Sequence, residues 1–209
     1  MSSMKLPGKI MRFDLHLIAS WITPGSKVLD LGCGEGSLLE YLIQNKNVKG
    51  SGIEQNEGRV AKCIEKGVTV LQGDIATEVE DYPDDSFDYV ILSQTLQQVY
   101  APDNLIRAML RIGRKGIVSF PNFSHWRVRM HLFRTGYAPV TKQLPYQWYD
   151  TPNIRVITLK DFRRFAKAVG YTIIKEKAID SQSTDREGRV VQFLPDLRAT
   201  YGIFLIGKQ

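Results

Sequence analysis

The chain has 209 residues, of which 43% are hydrophobic and 24% are charged. These proportions are close to the averages of globular proteins and exclude an intrinsically disordered chain. The formal net charge of +6 is compatible with an anionic partner but does not require one.

We expect neither an export signal nor a membrane-spanning segment. No apolar run approaches the roughly 18–20 residues that a membrane-spanning helix needs. The N-terminal segment contains Arg12, Asp14 and His16, where a signal peptide would be apolar. We therefore expect a cytoplasmic protein without membrane association, in which residues 1–209 form a single domain.

The two cysteines are Cys33 and Cys63. Neither belongs to a Cys-x-x-Cys pair, so the sequence predicts neither a disulfide framework nor a metal site. We expect Cys33 to pack a loop and Cys63 to occupy a helix core position.

Apolar strands and amphipathic helices alternate along most of the chain. The predicted strands cover residues 27–31, 48–53, 68–71, 87–92, 116–120, 171–178 and 201–206. The predicted helices cover residues 10–22, 37–45, 57–66 and 104–112. A further helix begins at a capping box formed by Thr158 and Asp161 and ends at Gly170. This alternation predicts an α/β, Rossmann-like fold with a mostly parallel seven-stranded sheet and helices on both faces.

The segment of residues 121–157 interrupts the alternation. It is rich in proline, aromatic and basic residues, and it follows the fifth predicted strand. Open α/β sheets bind ligands beyond the carboxyl ends of their strands, and a structureless loop of this length is uncommon. We therefore expect a cap that is inserted after the fifth strand and built on the sheet.

A glycine-rich loop directly follows the first predicted strand and precedes a helix. It contains Gly32, Cys33, Gly34 and Gly36 within the sequence DLGCGEG. Glycine lets the backbone turn sharply and lets a ligand approach it closely, and the N-terminus of the next helix offers free N–H groups to a carboxylate. A Gly-x-Gly pattern alone would also fit a nicotinamide or flavin site.

Carboxylates around this loop distinguish between these ligands. Asp30 and Glu35 flank the glycines and would repel a pyrophosphate, whereas they suit the sulfonium and ammonium groups of S-adenosylmethionine. Glu54, followed by Gln55, ends the second strand, where a carboxylate can accept hydrogen bonds from both ribose hydroxyls.

A third acid, Asp74, follows the third strand. It is placed to accept a hydrogen bond from the adenine amino group, with Ile75 against the ring. Any one of these acids alone would be interpreted as a solvated loop residue. Acids at the ends of three successive strands predict a site for S-adenosylmethionine or S-adenosylhomocysteine.

With this constellation, residues 27–120 resemble the class I S-adenosylmethionine-dependent methyltransferases. In that family, residues at the end of the fourth strand line the methionine side of the ligand, which here implies Ser93 and Gln94. Amino-methylating nucleic-acid enzymes often have Asn-Pro-Pro-Tyr or Asp-Pro-Pro-Tyr at this point. This chain has the sequence SQTL instead, which disfavours that subclass.

Three interpretations compete for the segment of residues 121–157. It could close a substrate pocket, with His125 as base and Tyr146, Trp148 and Tyr149 as walls. It could be a protein-docking surface, since tryptophan, tyrosine and arginine are enriched at interface hot spots. It could bind nucleic acid, although its net charge of +4 is modest for that role. His125 and Tyr146 are the candidate catalytic residues, and a buried aromatic lid is the structural alternative.

The most specific motifs lie in the same segment. They are FPNFSHWRVR from residue 120, PVTK from residue 139, LPY from residue 144 and WYDTPN from residue 148. Together with the glycine loop, they resemble the MetW family of bacterial methionine-biosynthesis proteins over residues 11–208.

This resemblance implies a role beside a homoserine O-acyltransferase, because MetW proteins are thought to act with that enzyme or to activate it. A partner or regulatory protein that binds the nucleoside is therefore our first hypothesis. An active methyltransferase on a small molecule is the second. An RNA methyltransferase is the third, and we do not expect a nucleic-acid partner.

Overall fold

A single sheet organises the chain in the computed structural model, which describes residues 11–141, 144–181 and 187–208. Within these residues the sheet has eight strands, in the spatial order β3-β2-β1-β4-β5-β8-β6-β7. The strands are β1 (Lys27–Leu31), β2 (Lys49–Glu54), β3 (Thr69–Gln72), β4 (Phe87–Ser93), β5 (Gly113–Pro121), β6 (Thr172–Ser181), β7 (Gly188–Val190) and β8 (Tyr201–Gly207).

Strand directions confirm the predicted, mostly parallel sheet. Strands β1 to β5 pair in parallel, and β8 lies antiparallel between β5 and β6. The sheet has one strand more than predicted, because β7 adds an antiparallel edge to β6. This strand is only three residues long, too short for its apolar pattern to be distinguished from a loop.

Helices follow most strands, as predicted. They are α1 (Phe13–Trp21), α2 (Ser37–Lys46), α3 (Glu57–Glu65), α4 (Ile75–Glu78), α5 (Pro102–Ile112), α6 (Trp126–Thr135), α7 (Leu159–Val169) and α8 (Pro195–Arg198). The capping box of Thr158 and Asp161 is present at the start of α7, and Gly170 ends that helix at a φ of 83°. The one-turn helices α4 and α8 were not predicted, because four residues carry no helical periodicity.

Helix α6 lies inside the segment that was expected to form a cap. It was not predicted as a helix, because its apolar residues Trp126, Val128, Met130 and Leu132 alternate with polar residues, a pattern typical of strands. None of its residues is buried. The helix therefore extends along the surface instead of packing an apolar face into the core.

The core has two layers, one on each face of the sheet. Alternate residues of β4 point to opposite faces: Tyr89 and Ile91 join one apolar cluster, and Val90 and Leu92 join the other. The first cluster includes residues of α1, α2 and α3, and the second includes residues of α5 and α7. Helices on both faces are thus confirmed.

The strand order places a ligand site at one edge of the sheet. The chain moves outward from β1 to β3 and then returns to β4 on the other side of β1. The carboxyl ends of β1 and β4 consequently diverge into a crevice, the usual ligand position in open α/β sheets. Within the described ranges, no helix is long and apolar enough to cross a membrane.

Candidate functional site

A cleft of about 540 Å³ opens at this crevice. It is lined by ten of the residues predicted to bind a nucleoside: Asp30, Gly32, Cys33, Gly34, Glu54, Gln55, Asp74, Ile75, Ser93 and Gln94. Gly36, which was also predicted, does not line the cleft. A Cβ atom at Gly36 would lie 2.9 Å from the Sγ atom of Cys63, so this glycine allows the loop to pack on α3.

The glycine loop leaves the cleft accessible to a ligand. Gly32 and Gly34 have φ angles of 74° and 58°, in the left-handed region that favours glycine. A side chain at Gly32 would collide with Thr95, whereas a Cβ atom at Gly34 would have no atom within 4 Å. The backbone at Gly34 is therefore open to close approach from the cleft.

Asp30 is the most perturbed acid in the cleft. Its side chain is 3% exposed, and its Oδ1 atom has no hydrogen-bond partner among the described residues. Burial and the neighbouring Glu54 carboxylate raise the pKa of Asp30 to about 7. A buried carboxylate oxygen without a donor is costly, and a cationic ligand in the cleft would provide one.

Glu54 connects β2 to the glycine loop. Its Oε2 atom accepts a hydrogen bond from the backbone N–H of Gly34, and its Oε1 atom accepts one from the N–H of Asn56, both at 2.9 Å. The guanidinium of Arg59 lies 3.8 Å from Oε1. Each carboxylate oxygen can accept more than one hydrogen bond, so Glu54 retains capacity for ribose hydroxyls.

The third acid, Asp74, begins α4. Its Oδ1 atom accepts a hydrogen bond from the N–H of Ala76 at 2.8 Å, as an N-cap residue does. Ile75 is half-buried beside it at the cleft wall. The acids of three neighbouring strand ends therefore line one cleft.

Glu35 contributes less to the negative charge of the cleft than the sequence predicted. It lines the cleft but is largely exposed and forms an ion pair with Lys62. The hydrogen bond from Lys62 lowers the pKa of Glu35. Because Lys62 neutralises this carboxylate, attraction for a cationic ligand depends mainly on Asp30 and Glu54.

The start of α1 also lines the cleft, which the sequence did not predict. Met11 and Arg12 precede this helix, and Leu15 belongs to it. The buried Asp14 accepts hydrogen bonds from the guanidinium of Arg12 at 2.8 and 3.1 Å and from the side-chain amide of Gln94 at 2.7 Å. Nothing in the sequence pairs Asp14 with Gln94, since the two residues are eighty positions apart.

Cys33, in the glycine loop, lies against Cys63 of α3. The Sγ atoms of Cys33 and Cys63 are 3.9 Å apart, and the thiol of Cys63 contacts the carbonyl oxygen of Gly34 at 3.2 Å. Burial raises the pKa of both thiols. A raised pKa disfavours the thiolate, the nucleophilic form of cysteine, so both thiols fit a packing role.

The two candidate catalytic residues lie outside this cleft. His125 is buried at the N-terminus of α6, where its Nδ1 atom accepts a hydrogen bond from the N–H of Arg127, and it lines a separate cavity. Tyr146 is about half exposed, and Trp148 and Tyr149 are exposed. Among the described residues 121–141 and 144–157, none lines the cleft.

Comparison with known proteins identifies the family. The family model described as methionine biosynthesis protein MetW matches residues 12–206. The chain belongs to the MetW family.

Two curated relatives extend this result. The chain is 34% identical to the bifunctional methionine biosynthesis protein MetXA/MetW of Rhodopirellula baltica, over 79% of the chain and 28% of that protein. It is 28% identical to a ubiquinone biosynthesis O-methyltransferase of Cupriavidus pinatubonensis, over 74% of the chain and 64% of that protein. The chain therefore spans only part of each relative. MetW membership makes it a methyltransferase-fold protein of methionine biosynthesis.

Solved structures confirm the fold. A SAM-dependent methyltransferase from Archaeoglobus fulgidus superposes with a TM-score of 0.67 at 16% identity, covering 93% of this chain and 91% of that one. At this identity the likeness establishes the Rossmann-like class I methyltransferase fold. The described residues contain no cluster of three or more histidine, cysteine or acidic side chains that could hold a metal.

Proposed function

We propose that this MetW-family protein binds S-adenosylmethionine or S-adenosylhomocysteine in the glycine-loop cleft. The observation that carries this proposal is Asp30, whose buried Oδ1 atom has no donor among the described residues and which lines the cleft. A ligand ammonium group would pair with this carboxylate. A pyrophosphate would meet a buried negative charge there and be repelled.

The remaining contacts follow from the same cleft. Glu54 would accept hydrogen bonds from the ribose hydroxyls, and Asp74 and Ile75 would hold the adenine. Gly34 would allow the ligand to approach the backbone closely. When bound, S-adenosylmethionine would supply an activated methyl group, and the residues of the cleft would orient it.

Calorimetry on the purified protein tests this proposal. We expect binding of S-adenosylmethionine or S-adenosylhomocysteine, and no binding of ADP. Asp30→Asn should weaken binding by roughly tenfold or more, since it removes a charge-assisted hydrogen bond. Asp103→Asn, at an exposed position of α5, is the matched control and should bind normally. Binding of ADP without binding of either sulfur nucleoside would refute the proposal.

We also propose that the protein acts with a homoserine O-acyltransferase. The Rhodopirellula relative joins MetXA and MetW in one polypeptide, which favours a physical association of the two functions. In this chain, α6 presents exposed apolar side chains that such a partner could cover. Phe133 is 86% exposed, and Trp126, Met130 and Leu132 are exposed beside it. Exposed aromatic residues in such a patch are typical of interaction sites.

The charge of α6 defines the partner surface further. The helix carries Arg127, Arg129 and Arg134 and no acidic residue. A complementary acyltransferase surface would be apolar at its centre and acidic at its rim. Tyr137, 77% exposed, extends the apolar patch beyond the end of the helix.

Co-expression with a homoserine O-acyltransferase from the same organism tests the association. We expect the two proteins to co-purify and the acyltransferase rate to depend on this protein. Phe133→Asp should reduce co-purification, whereas Ile64→Asp, which changes an exposed apolar residue of α3, should not. No complex and no change in acyltransferase rate would exclude this role.

Similarity to the ubiquinone biosynthesis O-methyltransferase favours methyl transfer to a small molecule as a second candidate function. Neither His125 nor Tyr146 lines the cleft, so a methyl acceptor would have to be positioned by other residues. Labelled S-adenosylmethionine incubated with metabolite extracts provides the test. Transfer of label that Asp30→Asn abolishes would support methyl transfer, and tight nucleoside binding without transfer would favour the partner role.

A further inference from the structure

A second cavity lies at the same edge of the sheet, beyond the ends of β5 and β6. Its volume is about 620 Å³, within the range of small-molecule sites. Both β5 and β6 pair antiparallel with β8, so they run in the same direction and end at the same edge of the sheet, on either side of β8. No residue of the glycine loop lines this cavity, which is therefore separate from the nucleoside cleft.

Arginines dominate the charge of this cavity. Arg127 of α6, Arg189 of β7 and Arg198 of α8 line it, together with one acid, Asp180. Asp180 already forms an ion pair with Arg189 at 2.8 Å. Arg127 and Arg198 form no ion pair with any described residue.

Buried hydrogen bonds fix the floor of the cavity. The side-chain amide of Asn122 donates to the carbonyl oxygens of Asp196 and Ala199 at 3.0 and 2.9 Å. The hydroxyl of Thr200 accepts a hydrogen bond from the N–H of Ser181 at 2.9 Å. The bonds of Asn122 join the end of β5 to α8, which carries Arg198, and the bond of Thr200 joins the residues after α8 to the end of β6. Strand β7, which carries Arg189, pairs with β6.

His125 adds a neutral donor to the lining. Its Nδ1 atom accepts a hydrogen bond from the backbone N–H of Arg127 at 3.3 Å, so the neutral ring carries its proton on Nε2. Within the described residues, Nε2 has no hydrogen-bond partner. The side chain is 8% exposed and lines the cavity. It is therefore placed as a second type of donor beside the guanidiniums.

We propose that this cavity binds a small organic oxyanion, a carboxylate or a phosphate monoester, with an apolar body. Guanidinium groups bind both headgroups through paired hydrogen bonds. Trp126, Val128 and Leu144 supply apolar wall for the rest of the ligand. Sites with a few polar groups among apolar side chains are typical of small-molecule binding.

Titration of the purified protein with phenyl phosphate and with phenylacetate, followed by NMR, tests the proposal. These probes carry the two headgroups on similar apolar bodies. We expect saturable binding of at least one of them, and the tighter probe identifies the headgroup. The double variant Arg127→Gln and Arg198→Gln should weaken that binding by about tenfold or more.

Arg134→Gln is the matched control, because it removes an exposed arginine of α6 that does not line the cavity. It should leave probe binding unchanged. Binding of S-adenosylhomocysteine in all variants reports whether the fold is intact, and the outcome at the second cavity does not depend on that nucleoside site. Absence of saturable binding of both probes, or equal loss in the Arg134 variant, would overturn the proposal.

Discussion

The carboxylate of Glu54 holds the glycine loop through Gly34, whose backbone N–H donates to Oε2 at 2.9 Å. The other carboxylate oxygen accepts a hydrogen bond from the N–H of Asn56. The acid at the end of β2 therefore joins the loop after β1 to the start of α3. Glu54 thus holds the wall of the glycine-loop cleft in place and also lines that cleft.

Glu54→Gln tests the contribution of this carboxylate to stability and to ligand binding. The amide keeps one acceptor oxygen and places an NH₂ group opposite a backbone N–H, so one hydrogen bond to a charged group is lost. We expect the free energy of unfolding to fall by about 1–3 kcal/mol, measured by urea denaturation, and S-adenosylhomocysteine binding to weaken. Glu65→Gln, on the exposed side of α3, should change neither quantity. A denaturation midpoint equal to that of the wild type would contradict the structural role of Glu54.

Gly34→Ala should affect ligand binding more than stability. The φ angle of 58° makes alanine strained by about 1–2 kcal/mol, but the added Cβ atom meets no protein atom within 4 Å. Gly67→Ala is a matched control, because Gly67 has a φ of 70° and the same open surroundings but lies outside the cleft. Both variants should lose similar stability in thermal melts, and only Gly34→Ala should lose nucleoside binding in calorimetry. Equal binding by the two variants would argue against close approach of the ligand at Gly34.

The residues expected to bind a nucleoside could be placed near one another from the sequence because each lies at or just after the end of a strand. Apolar periodicity located β1 to β4, and acids placed directly after three strands must meet at one edge of a parallel sheet. Ten of the predicted nucleoside-binding residues line one cleft for this reason. Gly36 does not line the cleft. It packs against Cys63, a contact between residues distant in sequence that the local pattern does not reveal.

Features that depend on tertiary contacts were not predictable. Asp14 reaches Gln94 only because α1 packs beside the end of β4. The alternating apolar pattern of α6 is typical of a strand, but the segment folds as a helix. The arginines of the second cavity come from α6, β7 and α8, which are distant in sequence. No sequence motif therefore predicts that these arginines lie close together.

Arg163 should contribute to stability by joining three elements. From α7 it donates to both carboxylate oxygens of Glu176 in β6, at 2.6 and 3.0 Å, and to Asp196 in α8 at 2.9 Å. Because the guanidinium is about one-third exposed, we expect Arg163→Gln to lower the free energy of unfolding by only about 1–2 kcal/mol. Arg164→Gln, at the adjacent exposed position, should have no effect in the same urea titrations. Comparable losses in both variants would indicate a general charge effect on α7.

The raised pKa of Asp30 predicts a pH-dependent stability. The pKa is about 7 in the folded chain, compared with an ordinary value of 3.8, because burial and Glu54 disfavour the charged form. The folded state therefore binds the Asp30 proton more tightly than the unfolded state. Between these two pKa values, stability should fall as pH rises, by at most about 1.4 kcal/mol per pH unit from this group. Asp30→Asn, which does not titrate, should show a flatter dependence in urea denaturation.

Nucleoside binding should depend on pH in the opposite direction. A ligand ammonium group pairs with the ionised form of Asp30, so the affinity for S-adenosylhomocysteine should rise as pH increases through about 7, and the bound ligand should lower the pKa of Asp30. Calorimetry on wild type and Asp30→Asn between about pH 6 and pH 8 isolates this contribution, because the ligand's own amino group titrates identically in both experiments. If the two proteins showed the same pH dependence, the ammonium group would not contact Asp30, and the proposed orientation of the nucleoside in the cleft would be wrong.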